Sequence, residues 1–119
     1  MLLLRLYLLG SAFLNLLMGC HGLMDAEALA AWRRSGDAIW GPEALRFHVA
    51  GHLMFAGVAV VLARAGLRSR EDRAWFLGLL AFGAVLGASE GGAFSLPVVG
   101  LLLYAAVVHG ERSADFKGA

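Results

Sequence analysis

Residues 2–23 read Leu-Leu-Leu-Arg-Leu-Tyr-Leu-Leu-Gly-Ser-Ala-Phe-Leu-Asn-Leu-Leu-Met-Gly-Cys-His-Gly-Leu, about 22 positions with Arg5 as the single charge. At ~1.5 Å per residue an α-helix of that length covers the ~30 Å hydrocarbon core of a bilayer. Arg5 sits near its start, where its long side chain can snorkel. The pattern continues along the chain. A second apolar span runs from about 45 to 65, with Pro42 ahead of it, where a missing N–H costs little, and with Arg64 and Gly66 at its end.

The remaining apolar runs, 74–88 and 96–108, are each nearer 14 residues than 20 and are separated by Ser89-Glu90-Gly91-Gly92-Ala93-Phe94-Ser95. They read as a tight helical hairpin with its turn close to one membrane surface, giving spans of about 74–90 and 94–109; one re-entrant hairpin is the rival. Composition supports the same class. Hydrophobic residues make up 60% of the 119-residue chain before its 16 glycines are counted, above the ~45–50% of soluble domains. A soluble chain this short would leave large apolar patches in water, whereas lipid solvates them. The expected architecture is therefore an all-α, membrane-spanning four-helix bundle forming one domain over residues 1–119.

Counting Lys and Arg by side orients it. Arg5, Arg64, Arg68, Arg70, Arg73, Arg112 and Lys117 make seven on one side, against Arg33, Arg34 and Arg46 on the other. The side with seven is expected to be cytoplasmic, which places both termini there and the first and third loops outside. The first loop, 24–44, carries Asp25 as cap of a short interfacial helix through 26–34, with Trp32 and Trp40 at the headgroup boundary.

Other classes are disfavoured. The net charge is +1 and the cations are scattered, so nucleic acid is not an expected partner. Leu17-Met18-Gly19-Cys20 looks like a lipoprotein cleavage site, but only Arg5 precedes the apolar run, so a retained helix is expected. The lone Cys20 forms no internal disulfide. No phosphate loop and no activated serine is apparent.

Two sets of residues carry specific expectations. His48 and His52 lie four apart, on one face of the second helix. The topology brings His21 and Glu90 to the same outer end, so that three imidazoles and a carboxylate are candidate ligands for a metal ion. The structural alternative is that the histidines bond to backbone carbonyls or to one another. Ser11, Asn15 and Gly19 recur every fourth residue, as do Gly83, Gly87 and Gly91; small residues at that spacing mark the seams where helices pack.

The layout as a whole, the small-residue stretch Phe47-His48-Val49-Ala50-Gly51-His52-Leu53-Met54-Phe55-Ala56-Gly57 and the Gly-rich turn before Leu96-Pro97 resemble the small bacterial four-helix membrane proteins of the DoxX-like and related families. The resemblance implies the fold and a place in the bacterial inner membrane. Members are largely of unknown function, some being linked to oxidoreductase partners, and the resemblance implies no catalytic motif. The favoured function is a non-catalytic accessory or assembly subunit packing against helices of a larger membrane complex, of respiratory or photosynthetic type. The alternative is a protein that uses the outer His/Glu cluster to bind a metal, haem or a quinone-like molecule.

Overall fold

The computed structural model describes residues 1–24, 27, 42–89 and 94–118. These form four helices: α1 (Leu2–Met24), α2 (Pro42–Ala65), α3 (Arg70–Ser89) and α4 (Ser95–Gly118), with no strand among the described residues. Helix α1 packs on α2, α2 on α3, α3 on α4, and α4 back on α1. Among the described residues the diagonal pairs do not meet through their backbones, so the helices form a four-sided bundle.

Two stretches, Leu2–Leu23 and Phe47–Ala65, are long and apolar enough to cross a membrane. Helices α3 and α4 have 20 and 24 residues, but both continue beyond the apolar runs. Arg70 to Arg73 add a charged first turn to α3, and the polar segment from Gly110 extends α4 as helix through Gly118. The helices are thus longer than their apolar runs because hydrogen bonding along the backbone does not stop where hydrophobicity does. Apart from Glu27, the expected interfacial helix at 26–34 lies outside the described residues, as does the turn at 90–93.

The core is built from a narrow stripe of each helix. Leu4, Leu8 and Ala12 of α1 meet Phe55, Ala56, Ala59, Leu62 and Ala63 of α2, with Phe76, Leu79 and Leu80 of α3 closing the other side. Spacings of three and four residues put each set on one helical face. Helix α4 leans on this core through the half-buried Leu103, Tyr104 and Val107. Phe76 joins three helices, with Tyr7 edge-on at 6.2 Å and Tyr104 stacked at 5.6 Å.

Size and polarity are distributed unusually. Ala12, Ala56, Ala59, Ala63, Ser11, His48 and His52 lie inside beside the large core residues, while Leu3, Phe13, Val61, Trp75 and Leu102 are each more than 60% exposed. Small interior residues bring the backbones together. The side chain of Leu53 occupies the space a β-carbon on Gly19 would need, at 2.5 Å, and Leu86 of α3 fills the notch over Gly51 of α2 at 2.9 Å. Leu86 is therefore a buried packing residue.

The α2–α3 turn is held by a set of polar contacts. Gly66 (φ +80°) ends α2 and Leu67 (φ +54°) follows in the same left-handed region, where a side chain is strained; burial of Leu67 offsets the strain. Ser69 caps α3 by accepting the Asp72 N–H on its hydroxyl at 3.0 Å. The guanidinium of the partly exposed Arg5 lies over Gly66, and its Nε is buried with no partner among the described residues.

Candidate functional site

Four-residue spacing puts His48 and His52 on one face of α2, and that face is buried: the two are 3% and 6% exposed. His52 meets α1 at Asn15, its Nδ1 lying 2.7 Å from Asn15 Oδ1. The amide orientation is set by a second bond, since Asn15 Nδ2 donates to the Ser11 carbonyl at 2.7 Å. Only the nitrogen of that amide can donate, so Oδ1 is the acceptor and the hydrogen between the residues sits on His52 Nδ1. The pair thereby defines the imidazole tautomer. Ser11 adds a buried hydroxyl one helical turn from Tyr7.

One helical step away, Tyr7 donates its hydroxyl to the Leu96 carbonyl at 2.6 Å, joining the early part of α1 to the start of α4. Its ring can approach because position 100 is glycine: a β-carbon there would lie 2.6 Å from the Tyr7 ring and from Leu80. Pro97 fits the first turn of α4, where its missing N–H leaves no bond unmade.

Between these contacts is a half-open cavity of about 350 Å³, with Tyr7, Asn15 and His52 among its walls and Gly83, Gly87 and Pro97 along the α3–α4 side. Its rim at Leu14, Leu17 and Leu96 is exposed and apolar. No Lys, Arg, Asp or Glu stands among the described lining residues.

The residues expected from sequence fall as follows. His48 and His52 are interior, His21 is exposed near the end of α1, and Glu90 lies outside the described residues. Among the described residues no group of three or more His, Cys, Asp or Glu is placed to hold a metal ion. Ser11 and Gly19 are buried, and Asn15 is half-buried against α2. Gly87 is buried; a β-carbon on Gly83 would meet Phe55 at 3.1 Å and Pro97 at 3.5 Å; Gly91 is outside the described residues. Sequence reasoning missed Tyr7, Gly51 and Gly100. The signal for Tyr7 was available, because it precedes Ser11 and Asn15 in the same four-residue series.

A second polar cluster lies at the opposite end, beyond the apolar runs. Arg73 donates to both carboxylate oxygens of Glu111 at 2.8 and 2.7 Å, while its Nε reaches the Leu67 carbonyl at 3.0 Å. One side chain therefore links the α2–α3 turn, α3 and α4. The guanidinium holds the Glu111 carboxyl below its ordinary range, chiefly through these hydrogen bonds, and the carboxylate raises Arg73 in turn.

Comparison with known proteins gives no match to a family model, to a curated relative or to a solved structure. Fold and site define, among the described residues, four α-helices with a His–Asn pair beside an apolar cavity.

Proposed function

We propose that the chain is a multi-pass protein of the bacterial inner membrane, with four spans and both termini cytoplasmic, and that it acts as a non-catalytic accessory subunit packing against helices of a larger assembly. A respiratory or photosynthetic complex is the kind of partner this reading has in view, and the resemblance to DoxX-like proteins forms part of it.

The membrane placement is supported by the many large apolar side chains left exposed on the helices, Leu3, Phe13, Val61, Trp75 and Leu102 among them, a surface that water would penalise and lipid accepts. The seven-to-three division of Lys and Arg supports the orientation.

The observation that carries the accessory role is the poor coverage of α4. Gly100 is the one buried residue among its described side chains, whereas the apolar span of α2 is 50% buried. Val98, Val99, Leu101 and Leu102 are left exposed on α4 even though it packs on both α3 and α1. In a bilayer, helix association comes from packing and not from removing apolar surface from water, so such a face suits a helix of another subunit.

The test is photo-crosslinking in native membranes from Val98, Leu101 and Leu102, with Leu3 and Leu6 as controls, followed by the mass of the gently solubilised complex. Protein adducts from α4, lipid adducts from α1 and a mass well above the chain's own are expected. Lipid adducts at every position together with a mass of one chain would end the accessory reading.

A further inference from the structure

We propose that the cavity beside Tyr7, Asn15 and His52 is a binding site for a neutral, lipophilic molecule that presents a carbonyl oxygen to Asn15. An amide nitrogen carries two hydrogens. One of those on Asn15 is committed to the Ser11 carbonyl, and Oδ1 is committed to the hydrogen on His52 Nδ1, so the amide cannot turn over without breaking both bonds. The second hydrogen has no partner among the described residues, and Asn15 is part of the cavity wall.

Neither of the other polar side chains in the wall substitutes for it as a donor. Tyr7 gives its hydroxyl hydrogen to Leu96, and His52 gives its Nδ1 hydrogen to Asn15. The complement of a fixed amide hydrogen is an acceptor, and a carbonyl oxygen is the acceptor that apolar molecules most often carry.

The walls decide the rest of the chemistry. The described lining residues include no charged side chain, so a carboxylate or phosphate would lose its hydration with no ion to replace it. The volume of about 350 Å³ lies at the lower end of the ~300–1,000 Å³ typical of small-molecule sites. With Leu14, Leu17 and Leu96 at the rim, entry is through apolar surface and not through a polar mouth. Small neutral quinones and ketones meet all three conditions. The site requires neither His21 nor Glu90, and it stands independently of any partner assembly.

Binding of menadione, a small neutral quinone, to the purified full chain in lipid nanodiscs tests the proposal, with methylnaphthalene as the matching hydrocarbon, decanoate as the matching acid and empty nanodiscs as baseline. Wild-type protein is expected to bind one menadione per chain, at least fivefold more tightly than methylnaphthalene, without displacement by decanoate. The infrared carbonyl band of the bound quinone should fall below its position in empty nanodiscs, as hydrogen bonding requires. Asn15→Leu should abolish both the preference and the band shift. The wild-type band and the quinone-to-hydrocarbon ratio decide the matter even where that variant fails to fold. Equal affinity for quinone and hydrocarbon, an unshifted band, or displacement by decanoate would overturn the proposal.

Discussion

Glycines in this bundle divide into those that permit contact and those that do not. A β-carbon on Gly100 would overlap Tyr7 and Leu80 at 2.6 Å, whereas one on Gly57 or Gly78 would meet nothing within 4 Å. Gly100→Ala is therefore expected to lower stability by about 1–3 kcal/mol, as overpacking does, unless the Tyr7 ring swings away and forfeits its bond to Leu96. Gly57→Ala and Gly78→Ala should leave stability unchanged or raise it by up to ~1 kcal/mol, because glycine in a helix interior is entropically unfavourable. Thermal unfolding in detergent compares the three. Gly51 belongs with Gly100, since Leu86 already fills its space, and Leu86→Ala should cost about 2–5 kcal/mol as a cavity-forming change in the buried α2–α3 contact.

At the scale of the elements, the end of the bundle formed by the α2–α3 turn depends on Arg73. Its bidentate bond to Glu111 joins α3 to α4, and its bond to the Leu67 carbonyl steadies a turn containing two left-handed residues. The Glu111 carboxyl titrates lower in the folded chain than its ordinary value of 4.5. The folded state therefore binds this proton less readily than the unfolded one, so the stability the pair contributes is fully present above about pH 4.5 and is lost as pH falls through the lowered value. Both side chains are partly exposed, at 25% and 41%, which limits the contribution to about 1 kcal/mol or less. Denaturation of wild type and Glu111→Gln between pH 3 and 7 should show the difference near neutrality and its disappearance in acid. Arg73→Lys should lose the same increment, since an ammonium cannot make the two parallel bonds and reach Leu67 as well.

For the whole molecule, the division of Lys and Arg makes the proposed topology specific. A cysteine label at Arg68 and a reporter after Ala119 should both report the cytoplasm, and a label at Ser35 the outside. Finding Arg68 and Ser35 on one side would remove the four-span reading, because one crossing, α2, has to separate them.

The α-helical class and the four helices among the described residues could be read from the linear order of apolar runs, because runs of this length exceed those of ordinary strands. That His48 and His52 share one face was also legible, since four-residue spacing commits both rings to the same side of the helix whatever that side meets. Helix ends were less so: α3 and α4 continue into charged turns that hydropathy had assigned to the flanks, because hydrogen bonds and the Ser69 cap set those ends and side-chain polarity does not. What covers each face was decided only by tertiary structure. Periodicity marks Asn15 as part of a stripe, yet it does not reveal that His52 is the group opposite, that Arg5 folds over Gly66, or that Tyr7 passes over Gly100 to reach Leu96. Those pairings depend on the axial offset and rotation between helices, which follow from how individual side chains interlock across the whole bundle and are not encoded in the spacing within any one helix.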